Sequence, residues 1–121
     1  MADSLTIWHN PRCSKSRKTL QILEERGFKP DVREYLDDPP SPQEIDAVLE
    51  GLDVQPREVI RSKEDVFDEQ GLDEPDLSRE DLIAAMSMHP ILIQRPIVLR
   101  SDGRAALGRP PESVLKLIDA T

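Results

Sequence analysis

The residues best suited to chemistry surround Cys13, the only cysteine among the 121 residues. Cys13 follows a predicted strand over residues 5–8 and directly precedes Ser14, a predicted helix N-cap. Backbone N–H groups at a helix start are unpaired and carry partial positive charge, which stabilises a thiolate. Residues 4–23 contain no acid but four basic residues, Arg12, Lys15, Arg17 and Lys18. The pattern predicts an ionised, reactive thiol rather than the small buried apolar side chain that a lone cysteine usually is.

The spacing around Cys13 narrows the kind of thiol chemistry. A Cys-x5-Arg phosphatase loop needs arginine at position 19, which is Thr19, and a Cys-x-x-Cys redox pair needs cysteine at position 16, which is Ser16. Any disulfide of Cys13 must therefore form with another molecule. Arg17 lies four residues on and shares a helix face with Cys13, and His9 could tune the thiolate. Two histidines and one cysteine without paired ligand spacing argue against a metal site.

The charges are unevenly distributed along the chain. The formal net charge is −8, and residues 24–81 hold 20 of the 24 acidic residues but only 7 of the 16 basic ones. Residues 82–101 again lack acids, and four arginines lie close together in the last part of the chain: Arg95, Arg100, Arg104 and Arg109. If the fold joins the two basic segments, they form a site for one small anion within an acidic surface. Such a surface repels polyanions, so we expect no nucleic-acid partner.

The sequence shows no targeting signal and no membrane span. No basic segment followed by an apolar stretch opens the chain, and no apolar run approaches the roughly twenty residues that a membrane helix needs. The length suits a single domain over residues 1–121. We expect a cytoplasmic protein, where a lone thiol stays reduced.

Strand and helix patterns alternate along the chain and predict its architecture. In order, they are a strand over residues 5–8, a helix from Ser14 to Gly27, a strand over 32–36, a helix capped by Ser41, a short helix over 57–61, a helix capped by Ser78, a strand within 91–99, a strand over 104–108 after the Asp102-Gly103 turn, and a helix opening at Pro110. The first two strands form a parallel β-α-β unit, and the last two form a hairpin. We predict an α/β domain with a four-stranded mixed sheet and flanking helices.

Several motifs lie between about residue 5 and residue 118: His9-x3-Cys13-x3-Arg17, Tyr35-Leu36 before a proline-rich loop, Arg61 after a short helix, His89-Pro90-Ile91-Leu92-Ile93, Arg95-Pro96-Ile97-Val98 and Gly108-Arg109-Pro110. With these motifs the sequence resembles the glutaredoxin-coupled arsenate reductase family, whose fold is thioredoxin-like. Ser14-Lys15-Ser16 after the cysteine and a shorter tail indicate a shorter branch of the family.

The resemblance implies a role for each matching residue. Cys13 corresponds to the nucleophile, His9 and Ser16 to the residues that lower its pKa, and Pro96 to the cis-proline of thioredoxin-like folds. Three arginines correspond to the oxyanion-binding set: Arg61, Arg95 and Arg109. The implied reaction reduces arsenate to arsenite, with glutathione as co-substrate, glutaredoxin as reductant partner, and neither a metal nor a bound cofactor.

Two other functions fit the same residues. The Cys13-x-x-Ser16 pattern also suits a glutathione-dependent thiol oxidoreductase that acts on mixed disulfides. Alternatively, the chain is a non-enzymatic interaction or regulatory protein that uses the acidic segment 24–81 as a contact surface. A comparison of arsenate with a small mixed disulfide as substrate distinguishes the first alternative from arsenate reduction. An ordinary thiol pKa of about 8.5 at Cys13 would favour the second alternative, a non-enzymatic protein.

Overall fold

Four short strands form the centre of the fold, which a computed structural model describes over residues 4–118. Within that range they are β1 (Leu5–Trp8), β2 (Asp31–Arg33), β3 (Ile97–Arg100) and β4 (Ala105–Leu107). They lie in the order β2-β1-β3-β4, with β1 and β2 parallel and the other two pairs antiparallel. The predicted four-stranded mixed sheet is confirmed.

Helices cover both faces of this sheet. The α-helices within residues 4–118 are α1 (Ser14–Glu25), α2 (Pro42–Leu52), α3 (Pro56–Val59), α4 (Asp65–Glu69), α5 (Arg79–Met88) and α6 (Leu115–Ile118), and short 3-10 helices cover Pro90–Leu92 and Pro111–Val114. The predicted helix caps at Ser41 and Ser78 are both present, each as a capping box, and they begin α2 and α5. Each satisfies two otherwise unpaired backbone donors at the start of its helix.

Two apolar clusters pack on opposite faces of the sheet. Because side chains alternate along a strand, Leu5 and Ile7 join one cluster with Leu23 of α1, and Trp8 joins the other. The larger cluster, on the Trp8 face, includes the buried residues of α2 and α5 and also Tyr35. The sheet therefore fixes the end of β1 at Trp8 and the start of β3 at Ile97, and the loops of the candidate site adjoin these two points.

Several predicted boundaries were wrong by a few residues. The N-cap of α1 is Cys13 instead of Ser14, which is the first helical residue. The second strand ends at Arg33 instead of residue 36, because Asp37 and Asp38 both donate their N–H to the Glu34 carbonyl and form a turn. Apolar content alone does not distinguish a strand from a buried turn of this kind.

The third strand is shorter than the apolar run that predicted it. Of residues 91–99, only those from Ile97 onward belong to β3, because Pro90–Leu92 forms a 3-10 helix instead. Ile60, which follows α3, pairs with Ile93 in an isolated β-bridge, so the predicted helix over 57–61 ends at Val59. These connections bring the chain after α3 alongside the chain before β3.

The turn after β2 is held by Arg33. Its guanidinium donates to the backbone carbonyls of Asp38 and Pro39, both at 3.1 Å, and forms an ion pair with Glu44 of α2. The turn carries Tyr35, whose side chain is fully buried in the larger cluster. No helix within residues 4–118 is long and apolar enough to cross a membrane.

Candidate active site

Residues 9–16, here called the nucleophile loop, carry the chain from β1 into α1. The Asn10 carbonyl accepts the Cys13 N–H at 3.0 Å, and the Asn10 side-chain oxygen accepts the Arg12 N–H at 3.0 Å. The guanidinium of Arg17 donates to the Pro11 carbonyl at 2.8 Å, so in this structure Arg17 braces the loop. These short-range bonds place Cys13 at the N-cap of α1, where it has extended backbone angles.

His9 and Ser16 form a buried pair beneath the nucleophile loop. Ser16 is fully buried, and its hydroxyl lies 2.6 Å from His9 Nδ1 and accepts the Asn10 N–H at 3.0 Å. Burial lowers the pKa of His9, nearby Glu34 raises it, and Arg17 lowers it, with a net decrease. A neutral imidazole can accept a hydrogen bond from the Ser16 hydroxyl at Nδ1. The pair therefore stabilises the conformation of the nucleophile loop.

The thiol of Cys13 is partly exposed and its pKa is lowered. Burial acts to raise that pKa. Hydrogen-bonding attraction from the Ser16 backbone, the Arg95 guanidinium and the Lys15 backbone outweighs it. The Ser16 and Lys15 amides belong to the first turn of α1, where backbone donors lack helical partners. A thiol in such surroundings is ionised over more of the neutral pH range than a free cysteine.

Arg95 reaches the thiol from the segment that precedes β3. The Arg95–Pro96 peptide bond is cis, and the Arg109–Pro110 bond is cis as well. The Arg109 guanidinium donates through Nε to the Arg95 carbonyl at 2.7 Å. The two arginines therefore occupy adjacent segments, although 14 positions separate them in the chain.

Gly108 makes the close contact between those segments and α1. Its N–H donates to the Pro96 carbonyl at 2.9 Å. A Cβ atom at this position would lie 2.5 Å from the Thr19 hydroxyl and 2.7 Å from Pro96 Cγ, both closer than real Cβ contacts. Only glycine lets the chain before Arg109 approach Pro96 and α1 this closely.

Arg61 follows α3 and is already engaged by two neighbours. It forms an ion pair with Glu64 at 3.0 Å and donates to the Gln94 side-chain oxygen at 3.0 Å. A cavity of about 330 Å³ opens beside it, lined by Ile60, Arg61, Ser62, Lys63, Gln94 and Arg109. We call Arg61, Arg95 and Arg109 the arginine cluster.

Tyr35 has a phenol whose pKa is influenced by Cys13 and by two members of the arginine cluster, Arg95 and Arg61. Burial raises the pKa of its phenol, while the Arg95 and Arg61 guanidinium groups lower it in part, and the Cys13 sulfur raises it. The hydroxyl therefore lies within electrostatic reach of all three groups. An anion bound among them would face an ionised sulfur and several hydrogen-bond donors, which suits nucleophilic attack on a small oxyanion.

Sequence reasoning did not identify Asn10, Glu64, Gln94 or the Tyr35 hydroxyl as parts of the site. Asn10 had a usable signal, since asparagine before proline is typical of side-chain-capped turns. The contacts of Gln94 and Tyr35 depend on tertiary structure and have no such local signature. Glu64 lies three residues after Arg61, so an opposite charge close in sequence was a signal for that pair. No cluster of three or more His, Cys, Asp or Glu side chains able to hold a metal ion occurs within residues 4–118.

Comparisons of the sequence and fold with known proteins point to one family. A sequence model of the ArsC family matches residues 8–117. "Arsenate reductase" of Neisseria meningitidis is 46% identical over 111 residues, covering 91% of this chain and 94% of that protein. "Arsenate reductase" of Haemophilus influenzae is 41% identical over 116 residues, covering 95% of this chain and 99% of that protein.

Solved structures agree with the sequence relatives. "Arsenate reductase from Vibrio cholerae" superposes with a TM-score of 0.91 at 45% identity, covering 96% of this chain and 98% of that chain. "Putative arsenate reductase from Yersinia pestis" superposes with a TM-score of 0.88 at 45% identity, covering 93% and 99%. The predicted thioredoxin-like α/β fold and the resemblance are both confirmed, and the chain belongs to the ArsC family.

Proposed function

We propose that this chain reduces arsenate to arsenite, with Cys13 as the nucleophile and glutathione and glutaredoxin as reductants. The observation that carries the proposal is the Cys13 thiol, whose pKa is lowered by the first turn of α1 and by Arg95. The names of the relatives support arsenate as the substrate. An ionised sulfur beside a guanidinium is the arrangement that attack on an oxyanion requires.

Arsenate binds through the arginine cluster. Arsenate is a tetrahedral oxyanion, and planar guanidinium groups donate to such oxygens through paired N–H groups. Arg95 lies beside the sulfur, and Arg109 is bonded to the Arg95 carbonyl. Arg61 lies on the cavity wall with Arg109. The guanidinium groups thereby offset the negative charge of arsenate, which would otherwise repel the Cys13 thiolate.

The first chemical step joins sulfur to arsenic. The Cys13 thiolate, dihydrogen arsenate and one proton yield a Cys13–S–As(V) adduct and one water. A sulfur–arsenic bond forms, one arsenic–oxygen bond breaks, and the departing oxygen takes the proton. Arsenic keeps its oxidation state in this step.

The second step requires a thiol from outside the chain, because Cys13 is the only cysteine. The sulfur of glutathione bonds to the Cys13 sulfur as the sulfur–arsenic bond breaks and leaves its electron pair on arsenic. Arsenate is thereby reduced to arsenite, the two sulfurs are oxidised to a mixed disulfide, and the thiol proton goes to an arsenite oxygen. A glutaredoxin thiol then releases Cys13 by thiol–disulfide exchange.

The test is arsenate-dependent NADPH oxidation in the presence of glutathione, glutaredoxin and glutathione reductase. We expect turnover with the wild-type chain and none with Cys13→Ser, which keeps the size of the side chain. Ser14→Ala, at the exposed neighbouring position, serves as the matched control and should retain turnover. Turnover in Cys13→Ser would contradict the mechanism. Reduction of a small glutathione mixed disulfide without any reduction of arsenate would favour the thiol oxidoreductase alternative.

A further inference from the structure

Tyr35 carries a buried hydroxyl that the fold does not use. The side chain is fully buried, and its hydroxyl makes no well-formed hydrogen bond among residues 4–118, although the Arg95 guanidinium is close enough to lower the pKa of the phenol in part. Buried tyrosine hydroxyls usually have a partner, because an unsatisfied buried polar group destabilises the folded state. Phenylalanine would fill the same apolar space without that cost. Packing alone therefore does not explain the hydroxyl.

A second unpartnered donor lies in the same place. Arg95 Nε is also buried and has no hydrogen-bond partner among residues 4–118. The Arg95 guanidinium lowers the pKa of the Cys13 thiol and, in part, that of the Tyr35 phenol, so it lies close to each of them. Two buried donors without acceptors thus lie near the Cys13 thiol. An acceptor-rich anion would satisfy both at once.

The protonation state of the phenol suits this role. Burial keeps the pKa of Tyr35 above its ordinary value, even though Arg95 and Arg61 lower it in part. The phenol therefore keeps its proton at neutral pH and can donate it in a hydrogen bond. Donors at fixed positions in a buried site stabilise developing negative charge without reorganising during the reaction.

We propose that the Tyr35 hydroxyl is a substrate-contacting residue, which donates a hydrogen bond to the oxyanion held beside Cys13, with Arg95 Nε as the neighbouring donor. This inference rests on the proposed function, since it assumes that the substrate is a tetrahedral oxyanion. The turn after β2 sets the position of the hydroxyl, because Arg33 ties that turn to Asp38, Pro39 and Glu44.

The experiment compares the wild-type chain with Tyr35→Phe, which removes the hydroxyl and keeps the ring. Sulfate, a tetrahedral oxyanion that thiols do not reduce here, serves as the binding probe in calorimetry, and arsenate turnover is measured in parallel. We expect Tyr35→Phe to weaken sulfate binding about 10-fold or more and to lower kcat/KM for arsenate similarly, as removal of a hydrogen bond to a charged group does. Its melting temperature should be equal to or above that of the wild type, because no partner in the fold is lost.

Ser87→Ala is the matched control, since it removes a hydroxyl that does have a partner. The Ser87 hydroxyl donates to the Pro40 carbonyl at 2.7 Å. This variant should melt at a lower temperature and bind sulfate as the wild type does. Wild-type sulfate affinity in Tyr35→Phe would overturn the inference, and so would a lower melting temperature in that variant, which would show a structural role.

The two proposals fail separately. If the wild type reduces no arsenate but binds sulfate in a Tyr35-dependent way, the arsenate function is wrong and the Tyr35 contact stands for another oxyanion. If the wild type reduces arsenate and Tyr35→Phe matches it in both measurements, the function stands and the inference is wrong. An absence of sulfate binding by the wild type would also overturn the inference.

Discussion

The nucleophile loop and the arginine cluster are built in opposite ways. Side-chain hydrogen bonds in the loop join residues close in sequence, of which the His9–Ser16 pair at a separation of seven is the widest. Arg61 instead meets Gln94 across 33 positions, and Arg109 meets Arg95 across 14. The geometry of the loop is therefore encoded locally, whereas the arginine cluster exists only in the folded sheet.

The two regions also differ in charge compensation. Residues 4–23 contain no acid, so helix-start amides and Arg95 act on Cys13 without a competing carboxylate nearby in sequence. Arg61 lies in the acidic segment and is paired with Glu64. The nucleophile loop therefore stabilises a negative charge on Cys13 without a competing carboxylate nearby in sequence. In the arginine cluster, by contrast, Arg61 is already paired with an acid. The variants below test this contrast, from the largest expected effect to the smallest.

Arg95→Ala should have the largest effect, because Arg95 serves both regions. The variant loses the cation that lowers the pKa of Cys13 and, in the proposed mechanism, an oxyanion donor. We expect kcat/KM for arsenate to fall by about 100- to 1,000-fold, as for loss of one oxyanion-hole donor. Arg104→Ala, on the exposed hairpin, is the matched control and should be active. Unchanged kcat/KM in Arg95→Ala would remove Arg95 from the site.

Gly108→Ala should disturb the arginine cluster while leaving the nucleophile loop intact. The added methyl group collides with Thr19 and Pro96, and the displacement passes to Arg109. We expect a loss of about 2–3 kcal/mol in the free energy of unfolding, measured in urea, with a raised KM for arsenate. Gly71→Ala is the matched control, since an alanine at its φ of +64° is strained but the added Cβ meets nothing within 4 Å. If Gly108→Ala behaves like Gly71→Ala in KM, the close approach does not position Arg109.

Ser16→Ala should disturb the nucleophile loop while leaving the arginine cluster intact. It leaves His9 Nδ1 and the Asn10 N–H without the Ser16 hydroxyl. We expect a loss of about 1–2 kcal/mol in the free energy of unfolding and a lower kcat, with anion affinity retained. Ser14→Ala on the exposed side of the same helix should change neither. Weaker sulfate binding in Ser16→Ala would show that the two regions are coupled.

Glu64→Gln should have the smallest effect, and in the opposite direction. It releases Arg61 from an ion pair between partly exposed side chains, which is worth about 1 kcal/mol at most. We expect sulfate affinity to rise about two- to fivefold in calorimetry. Glu69→Gln, exposed in α4, is the matched control. Weaker binding in Glu64→Gln would mean that Glu64 orients Arg61 for the anion instead of competing with it.

The same contrast explains what the sequence could predict. The capping boxes at Ser41 and Ser78 and the strand-to-helix turn at Cys13 are local patterns, and the structure contains all three. The turn at Tyr35 was predicted as strand, because its apolar residues fit a strand as well as a buried turn. The cis Arg109–Pro110 bond was not predicted, since proline sequence alone rarely indicates this isomer.

Physical reasoning from the residues did not select the three arginines among the sixteen basic residues; resemblance to a family did. Positive charge in the sequence indicated an anion site, but which guanidinium groups meet depends on sheet order and on Gly108. The Arg61–Gln94 hydrogen bond and the buried hydroxyl of Tyr35 also depend on tertiary contacts. The Arg61–Glu64 ion pair, by contrast, joins residues three positions apart. The reactive thiol and its neighbouring residues can therefore be predicted from this sequence, whereas the set of distant arginines that come together in the fold cannot.

The most direct test of the account is a titration of Cys13, followed by thiolate absorbance or by the pH dependence of alkylation. A lowered pKa keeps the thiolate populated at lower pH, so the wild-type midpoint should lie below about 8.5, the value of an unperturbed cysteine. In Arg95→Ala the midpoint should move up toward that value, while Arg104→Ala should match the wild type. A wild-type midpoint at or above about 8.5, or no shift in Arg95→Ala, would contradict a thiolate held jointly by the start of α1 and by Arg95.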